Sequence, residues 1–388
     1  MMQKKNIYLM YAISCLQGMV FYGPIATLYR QAQGVSVFEI TLIESISLVL
    51  CLALELPWGI VADRIGYKKT MVFCCLLYLI SKVLFWKAEG FPAFLLERIL
   101  LSVVMAGLSG VDTSILYLSA AKENSQKVFG IYNGLGTAGL LLAALVYSAA
   151  VGGDYRLAGF LTVVSYGAAA ALSCFLTEVR EEERKKTGAK EFSACLRRTF
   201  SDKYLLLFLL GIAFLNETHQ TVTVFLNQLL YVRAGIGDRA IGWLYILVTV
   251  IGMCGIFSDR LTRRMGERFM IRACYFMAAV SCLLSAFTDV PAGAAGGIIM
   301  LRAAFGLFSP LQIKMQNEQI MTADRATALS INAVIIDSVG VGTNLVFGAL
   351  AEHDLTAALL AGACLCVVGL VFAECMENAK RFSGADAA

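Results

Sequence analysis

The sequence predicts an all-α integral membrane protein with twelve transmembrane helices in two six-helix pseudo-repeats. Three observations carry this. Of 388 residues, 59% are hydrophobic and only 15% are charged, a balance too apolar for an ordinary soluble domain. The apolar residues fall into runs of about 20, long enough to cross the hydrocarbon core. Several features of the first half recur, in the same order, in the second.

Breaks at charge clusters and Gly/Pro turns delimit the spans. They are 7–29, 40–62, 70–86, 93–120, 128–151 and 157–176, then 204–231, 240–257, 269–287, 293–311, 326–350 and 355–373. Met1-Met2-Gln3-Lys4-Lys5 has the charge of a signal n-region, but the run after it is too long for an h-region and lacks a small-residue cleavage site. It is read as a retained first helix. The long polar stretch with Glu181-Glu182-Glu183 and Arg184-Lys185-Lys186 separates the sixth span from the seventh. The expected organisation is a bundle at 1–176, a linker at 177–203 and a second bundle at 204–388.

Lys and Arg in short loops stay on the cytoplasmic side during insertion. Arg64, Lys68, Lys69, Lys122, Lys127, the linker cluster, Arg260, Arg263, Arg264, Arg268 and Arg325 fall on one side, whereas few basic residues fall on the other. Both termini are therefore expected in the cytoplasm and the chain in the cell (inner) membrane, as a monomer. The formal net charge of +4 is small and its basic residues are scattered, which argues against nucleic acid. Apart from Cys195, the cysteines lie in apolar runs as small core residues. Their spacing, with two histidines in the chain, suits no zinc site. No metal or cofactor is expected. No nucleophile–base pair or phosphate loop points to an enzyme.

The repeat rests on three matches. Gly59-Ile60-Val61-Ala62-Asp63-Arg64 recurs as Gly255-Ile256-Phe257-Ser258-Asp259-Arg260, and Arg98 as Arg302. Gly134-Leu135-Gly136-Thr137 recurs as Gly340-Val341-Gly342-Thr343. The slowly growing offset points to duplication of a six-helix unit, as in transporters built from parallel repeats. The loop from Gly59 through Asp63-Arg64-Ile65-Gly66-Tyr67-Lys68-Lys69 closely resembles the signature G-x-x-x-D-R-x-G-x-[KR]-[KR] of the major facilitator superfamily, in its drug-exporter-like branch. The resemblance implies alternating access, with Gly59, Asp63, Arg64 and Gly66 as a gating latch and helices 1, 4, 7 and 10 lining a cavity. In two places the chain departs from that branch. Gly130, Gly134, Gly136 and Gly139 lack the proline of the antiporter signature in helix 5, and the R-x-x-x-G of Arg302–Gly306 becomes Arg98 with Ser102 in span 4.

Ionisable groups at bilayer depth are costly and face a bundle interior or a cavity. At 100° per residue, Arg98, Ser102, Met105, Ser109 and Asp112 fall within roughly 80° on span 4. Arg302, Gly306, Ser309, Ile313 and Gln316 match them on span 10. In span 7, Glu217 and Thr221 share one face, while His219, Gln220 and Thr223 share another. Asp337 lies near the middle of span 11. The carboxyls of Glu217, Asp337 and, next, Asp112 are read as proton-coupling groups, with Arg302 as a countercharge. Tyr11, Gln17, Tyr22, Arg98, Ser109, His219, Gln220, Arg302 and Gln316 are read as cavity residues. Lys82 is expected to snorkel outward, Glu44 to lie near the outer rim and Arg98 to pair with Glu97, to snorkel outward or to meet substrate.

The expected function is secondary active transport of a small amphiphilic or cationic organic solute, as proton-coupled efflux. Uptake by symport or facilitated diffusion is the alternative in the same class. A non-transporting sensor or scramblase is the alternative in another.

Overall fold

The structure is a computed structural model and describes residues 2–120, 125–179, 197, 199–318 and 325–382, with no strand among them. Twelve helical stretches are long and apolar enough to cross a membrane, and they overlie the twelve runs read from the sequence. The chain forms two compact units, Met1–Arg184 with Gly237–Ile246, and Lys185–Ile236 with Leu247–Ala388.

The first unit begins with a broken span. Helix α1 (Met2–Gly18) ends, a 3-10 turn occupies Gly23–Ile25, and α2 (Ala26–Ala32) completes the crossing. In lipid, an interrupted helix survives only if its freed backbone groups find partners. Helix α8 (Tyr155–Ser173) supplies them. Ser165 Oγ donates to the Leu16 carbonyl at 2.6 Å, Tyr166 OH to the Gln17 carbonyl at 2.6 Å, and Thr162 Oγ1 accepts from the Phe21 N–H at 3.0 Å. The three donors and acceptors stand at i, i+3 and i+4, one face of a helix, and all are buried.

Between these lie α3 (Val37–Ile65), α4 (Tyr67–Lys87), α5 (Gly90–Leu108), α6 (Val111–Ser119) and α7 (Ser125–Val146), the last continuing into a π turn at Tyr147–Val151. Span 4, expected as one helix, is two. Gly110 has φ 83°, in the left-handed region, which glycine enters without a Cβ clash. The stripe from Arg98 to Asp112 is therefore interrupted, and Asp112 belongs to the first turn of α6. Helix α7 meets α1 through small residues, the usual means of close approach in membranes. A Cβ added to Gly139 would lie 2.0 Å from the Cys15 carbonyl oxygen.

The signature segment, expected as a loop, is helical as far as Ile65. At 29 residues, α3 is about 44 Å long at 1.5 Å per residue, and so outruns a core of about 30 Å. Only Gly66, at φ 102°, makes the turn. A Glu178 carboxylate oxygen accepts from the Lys68 N–H at 3.2 Å, placing negative charge at the start of α4, where the helix dipole favours it.

The second unit comprises α9 (Lys203–Thr221), a π turn at Val222–Leu226, and α10 (Asn227–Arg233). Helix α11 (Asp238–Gly252), whose residues up to Ile246 are grouped with the first unit, a 3-10 turn at Met253–Phe257 and α12 (Ser258–Met265) follow, then α13 (Glu267–Phe287), α14 (Pro291–Glu318), α15 (Arg325–His353) and α16 (Leu355–Phe382). Gly266, at φ 88°, turns the chain as Gly66 does. Each glycine carbonyl accepts from the fourth residue on, at 3.1 Å, Thr70 in one case and Met270 in the other. The repeat thus continues past Arg260. One extra helical turn between Arg260 and Gly266 accounts for part of the growing offset.

Candidate functional site

In the second unit, α9 carries two polar faces. Glu217 is 8% exposed and packs on α15, where a Cβ added to Gly340 would lie 2.6 Å from its Oε2. Asp337, one turn before Gly340, stands close enough for the two carboxylate charges to interact. One turn further along α9, Thr221 Oγ1 donates to Asn344 Oδ1 at 2.9 Å, which fixes the register of α9 on α15. Glycine at 340 therefore makes room for the carboxyl. The π turn beginning at Val222 follows directly, and such bulges are frequent at functional sites.

The opposite face of α9 meets α14. Arg302 Nη1 lies 3.0 Å from His219 Nε2. Arginine only donates, so Nε2 accepts and the ring proton of the neutral imidazole sits on Nδ1. The imidazole stacks on Phe305 with centroids 3.8 Å apart and 7° between planes. Thr223 Oγ1 donates to the His219 carbonyl at 2.7 Å. Arg302, expected as a countercharge for a carboxylate, is thus joined to an imidazole. Its guanidinium also fills the space beside Gly252, where a Cβ would come within 2.4 Å of Nε.

The first unit holds an ionic cluster that differs from the expected one. Arg30 Nη1 is 3.2 Å from Glu44 Oε1, and Arg98 Nη2 also bonds Glu44. Arg98 Nε donates to Ser47 Oγ at 3.1 Å, and Ser47 shares a 2.8 Å hydrogen bond with Ser102. Glu44 is buried inside this network, and Arg98 pairs with it rather than with Glu97. Lys82 does not snorkel. It is 4% exposed, lies 3.8 Å from Glu97, donates to Tyr22 OH at 3.0 Å and sits over the rings of Tyr78 and Tyr166. Tyr22 stacks on Phe85 at 3.9 Å.

The other expected residues are dispersed. Asp112 Oδ2 accepts from Tyr132 OH at 3.3 Å. Tyr11 packs half-buried against the core of the first unit, and Gln17 Nε2 reaches Cys75 Sγ at 3.5 Å. Ser109 and Gln220 are exposed, whereas Gln316 is buried. Arg64 is exposed, and the surroundings of Gly59 and the side chain of Asp63 lie outside what is described, as does most of the 177–203 linker.

Against known proteins, residues 7–343 match the family model of the Major Facilitator Superfamily. The chain belongs to this superfamily. A protein named as an uncharacterized MFS-type transporter from Methanocaldococcus jannaschii is 25% identical over 138 residues, and that match spans 35% of this chain and 36% of the relative. Among solved structures, the nucleoside transporter NupG aligns with a TM-score of 0.80 at 16% identity, covering 97% of this chain and 98% of that one. A D-xylose-proton symporter aligns with a TM-score of 0.71 at 16% identity over 96% and 97% of the two chains. A bacterial homologue of the human lysosomal transporter Spinster gives a TM-score of 0.71 at 15% identity over 96% and 95%. The solved structures show that the fold is shared, and membership of the superfamily rests on the family model.

Proposed function

We propose that this chain is a proton-coupled secondary transporter of a small organic solute, working by alternating access. The observation that carries the reading is the juxtaposition of Glu217 and Asp337 across α9 and α15. Two carboxylates within range of each other's charge at bilayer depth are costly to ionise together, and a proton on one of them relieves the cost. A proton taken up there on one side of the membrane and released on the other couples solute movement to the proton gradient. The halves 1–176 and 204–388 act as the moving bundles, joined by a cytoplasmic linker at 177–203. Both termini face the cytoplasm, and Gly59, Asp63, Arg64 and Gly66 form the latch.

Efflux by antiport is the first reading, on the resemblance to the drug-exporter-like branch, and the missing helix 5 proline weighs against it. The fold shared with a named proton symporter supports uptake as the second reading. A screen for solutes that stabilise the purified protein, by mass action on the folded state, supplies the substrate. Proteoliposomes with an imposed pH gradient then read direction and coupling. Glu217→Gln and Asp337→Asn should each lose gradient-driven movement and keep solute exchange. If both variants move solute against its gradient with unchanged pH dependence, the coupling assignment fails and Asp112 is tested next.

A further inference from the structure

The ionic cluster of the first unit is unbalanced. Arg30, Lys82 and Arg98 contribute three positive charges against the two carboxylates of Glu44 and Glu97. Glu44 is shared by two guanidinium groups, so neither is fully compensated. The charges are also unequally reachable: the side chains of Arg30, Glu44, Lys82 and Glu97 are 6%, 6%, 5% and 1% exposed, that of Arg98 27%. The most exposed member of the cluster is thus Arg98.

That edge does not face lipid. Helix α5 is open on two sides, marked by Leu96 and Met105, each 51% exposed. Nine residues apart, they lie half a circle apart at 100° per residue. Leu96 belongs to an apolar side with Pro92 and Val103 and is the lipid face. Met105 is within about 20° of Arg98 on the other side, which continues to the exposed Ser109. An arginine at this depth faces the bundle interior or a water-filled cavity, and the exposed Met105 and Ser109 on its side point to the cavity. Asp112 would have been next on that side, but the break at Gly110 puts it in a separate helix, where it meets Tyr132.

We propose that Arg98 presents this surplus positive charge to the transported solute, and hence that the solute carries an anionic group, a carboxylate or a phosphate. The inference deepens the transport reading above and rests on it for the role of the face. It replaces the amphiphilic or cationic solute expected from sequence. Arginine suits such a group because its planar fork matches carboxylate and phosphate oxygens. The bond to Glu44 and the Nε contact with Ser47 hold the fork in place while leaving one edge open.

The test measures the potential at this face directly. Met105→Cys is made in the full-length protein, with Ser109→Cys as a second site should the first not fold. Modification by a negatively charged methanethiosulfonate (ethylsulfonate) is compared with a positively charged one (ethyltrimethylammonium), by peptide mass mapping and after normalising to a free thiol. The anionic reagent is expected to be favoured roughly tenfold, since a charged, enclosed face concentrates counter-ions by that order or more. The preference should persist in Arg98→Lys, fall towards unity in Arg98→Gln and rise in Glu44→Gln. No modification at either cysteine would mean a lipid or buried face and overturn the proposal, as would a preference unchanged by Arg98→Gln. A thermal-shift screen of matched acids, amides and amines gives the second arm. Stabilisation by acids that is lost in Arg98→Gln supports the substrate class, and stabilisation confined to amines or amides overturns it. Neither arm involves Glu217 or Asp337, so failure here and failure of proton coupling are separable.

Discussion

The Tyr166 hydroxyl donates to the Gln17 carbonyl at 2.6 Å, and this bond ties α8 to the point where the first span stops being helical. The same ring stands under Lys82, whose ammonium is 5.4 Å from its centroid. One tyrosine therefore braces both the broken backbone and the ionic cluster beside it.

Replacing Tyr166 by Phe keeps the ring and removes only the donor, leaving the Gln17 carbonyl unsatisfied by α8. A cost of about 1–2 kcal/mol is expected, read as a lowered denaturation midpoint in detergent. Tyr231→Phe is the control, because the Tyr231 hydroxyl is buried and has no hydrogen-bond partner among the described residues. Its removal should be neutral or stabilising. If the two variants were equally stable, the brace would carry no energy.

Glycine roles are predicted to differ within one helix. Gly139→Ala forces a methyl against the Cys15 carbonyl, and because backbone meets backbone, α1 and α7 must separate. Overpacking of this kind costs about 1–3 kcal/mol. Gly134→Ala meets nothing within 4 Å and should gain about 0.5–1 kcal/mol of helix propensity. Folded yield and melting temperature should move in opposite directions. A common loss would show that α7 tolerates no added volume at all.

Sequence reading reached the helix count, the repeat and the polar faces of α9 because each is local or periodic. The Glu217–Asp337 meeting was approachable for the same reason, both residues being isolated carboxyls near mid-span. The cluster around Arg98 was not. Arg30, Glu44, Lys82, Glu97 and Arg98 come from four spans, and all but Arg98, a cavity residue by sequence, look alone like terminal residues able to reach the interface. Their similar distance from the same ends of their spans was the usable signal. Two helix breaks were missed for opposite reasons. Gly110 hides among apolar neighbours as an ordinary small residue. The gap after Gly18 depends on Thr162, Ser165 and Tyr166, nearly 150 positions away.

The latch can be separated from the fold. Asp63→Asn and Gly59→Leu should abolish most transport while leaving melting temperature and solute binding nearly unchanged, since the alternating states differ by only a few kcal/mol. Parallel loss of binding and transport would mean that these residues act on folding. Gly66→Ala is the contrasting variant. At φ 102° and with Glu178 Oε2 where its Cβ would go, it should lower stability directly.

Lys82 and Glu97 form the last pair to be resolved, and the geometry predicts an asymmetry. Lys82 is held by Tyr22 OH at 3.0 Å and by aromatic rings on several sides. Glu97 has the weaker setting, 3.8 Å from the ammonium on one oxygen and with no hydrogen-bond partner on Oε2 among the described residues. Removing one member of a buried pair typically costs about 3–5 kcal/mol, because the other charge is left uncompensated. Lys82→Met should reach that range, as it strands a carboxylate that is 1% exposed and frees the Tyr22 hydroxyl beside the break in the first span. Glu97→Gln should cost less, because the ammonium keeps Tyr22 and the rings. The double variant Lys82→Met/Glu97→Gln should be more stable than Lys82→Met alone. The coupling energy from this cycle, measured by denaturation in one detergent, decides the matter. A coupling near zero, or a larger loss for Glu97→Gln than for Lys82→Met, would show that the two groups do not stabilise each other and that the aromatic cage alone holds the lysine.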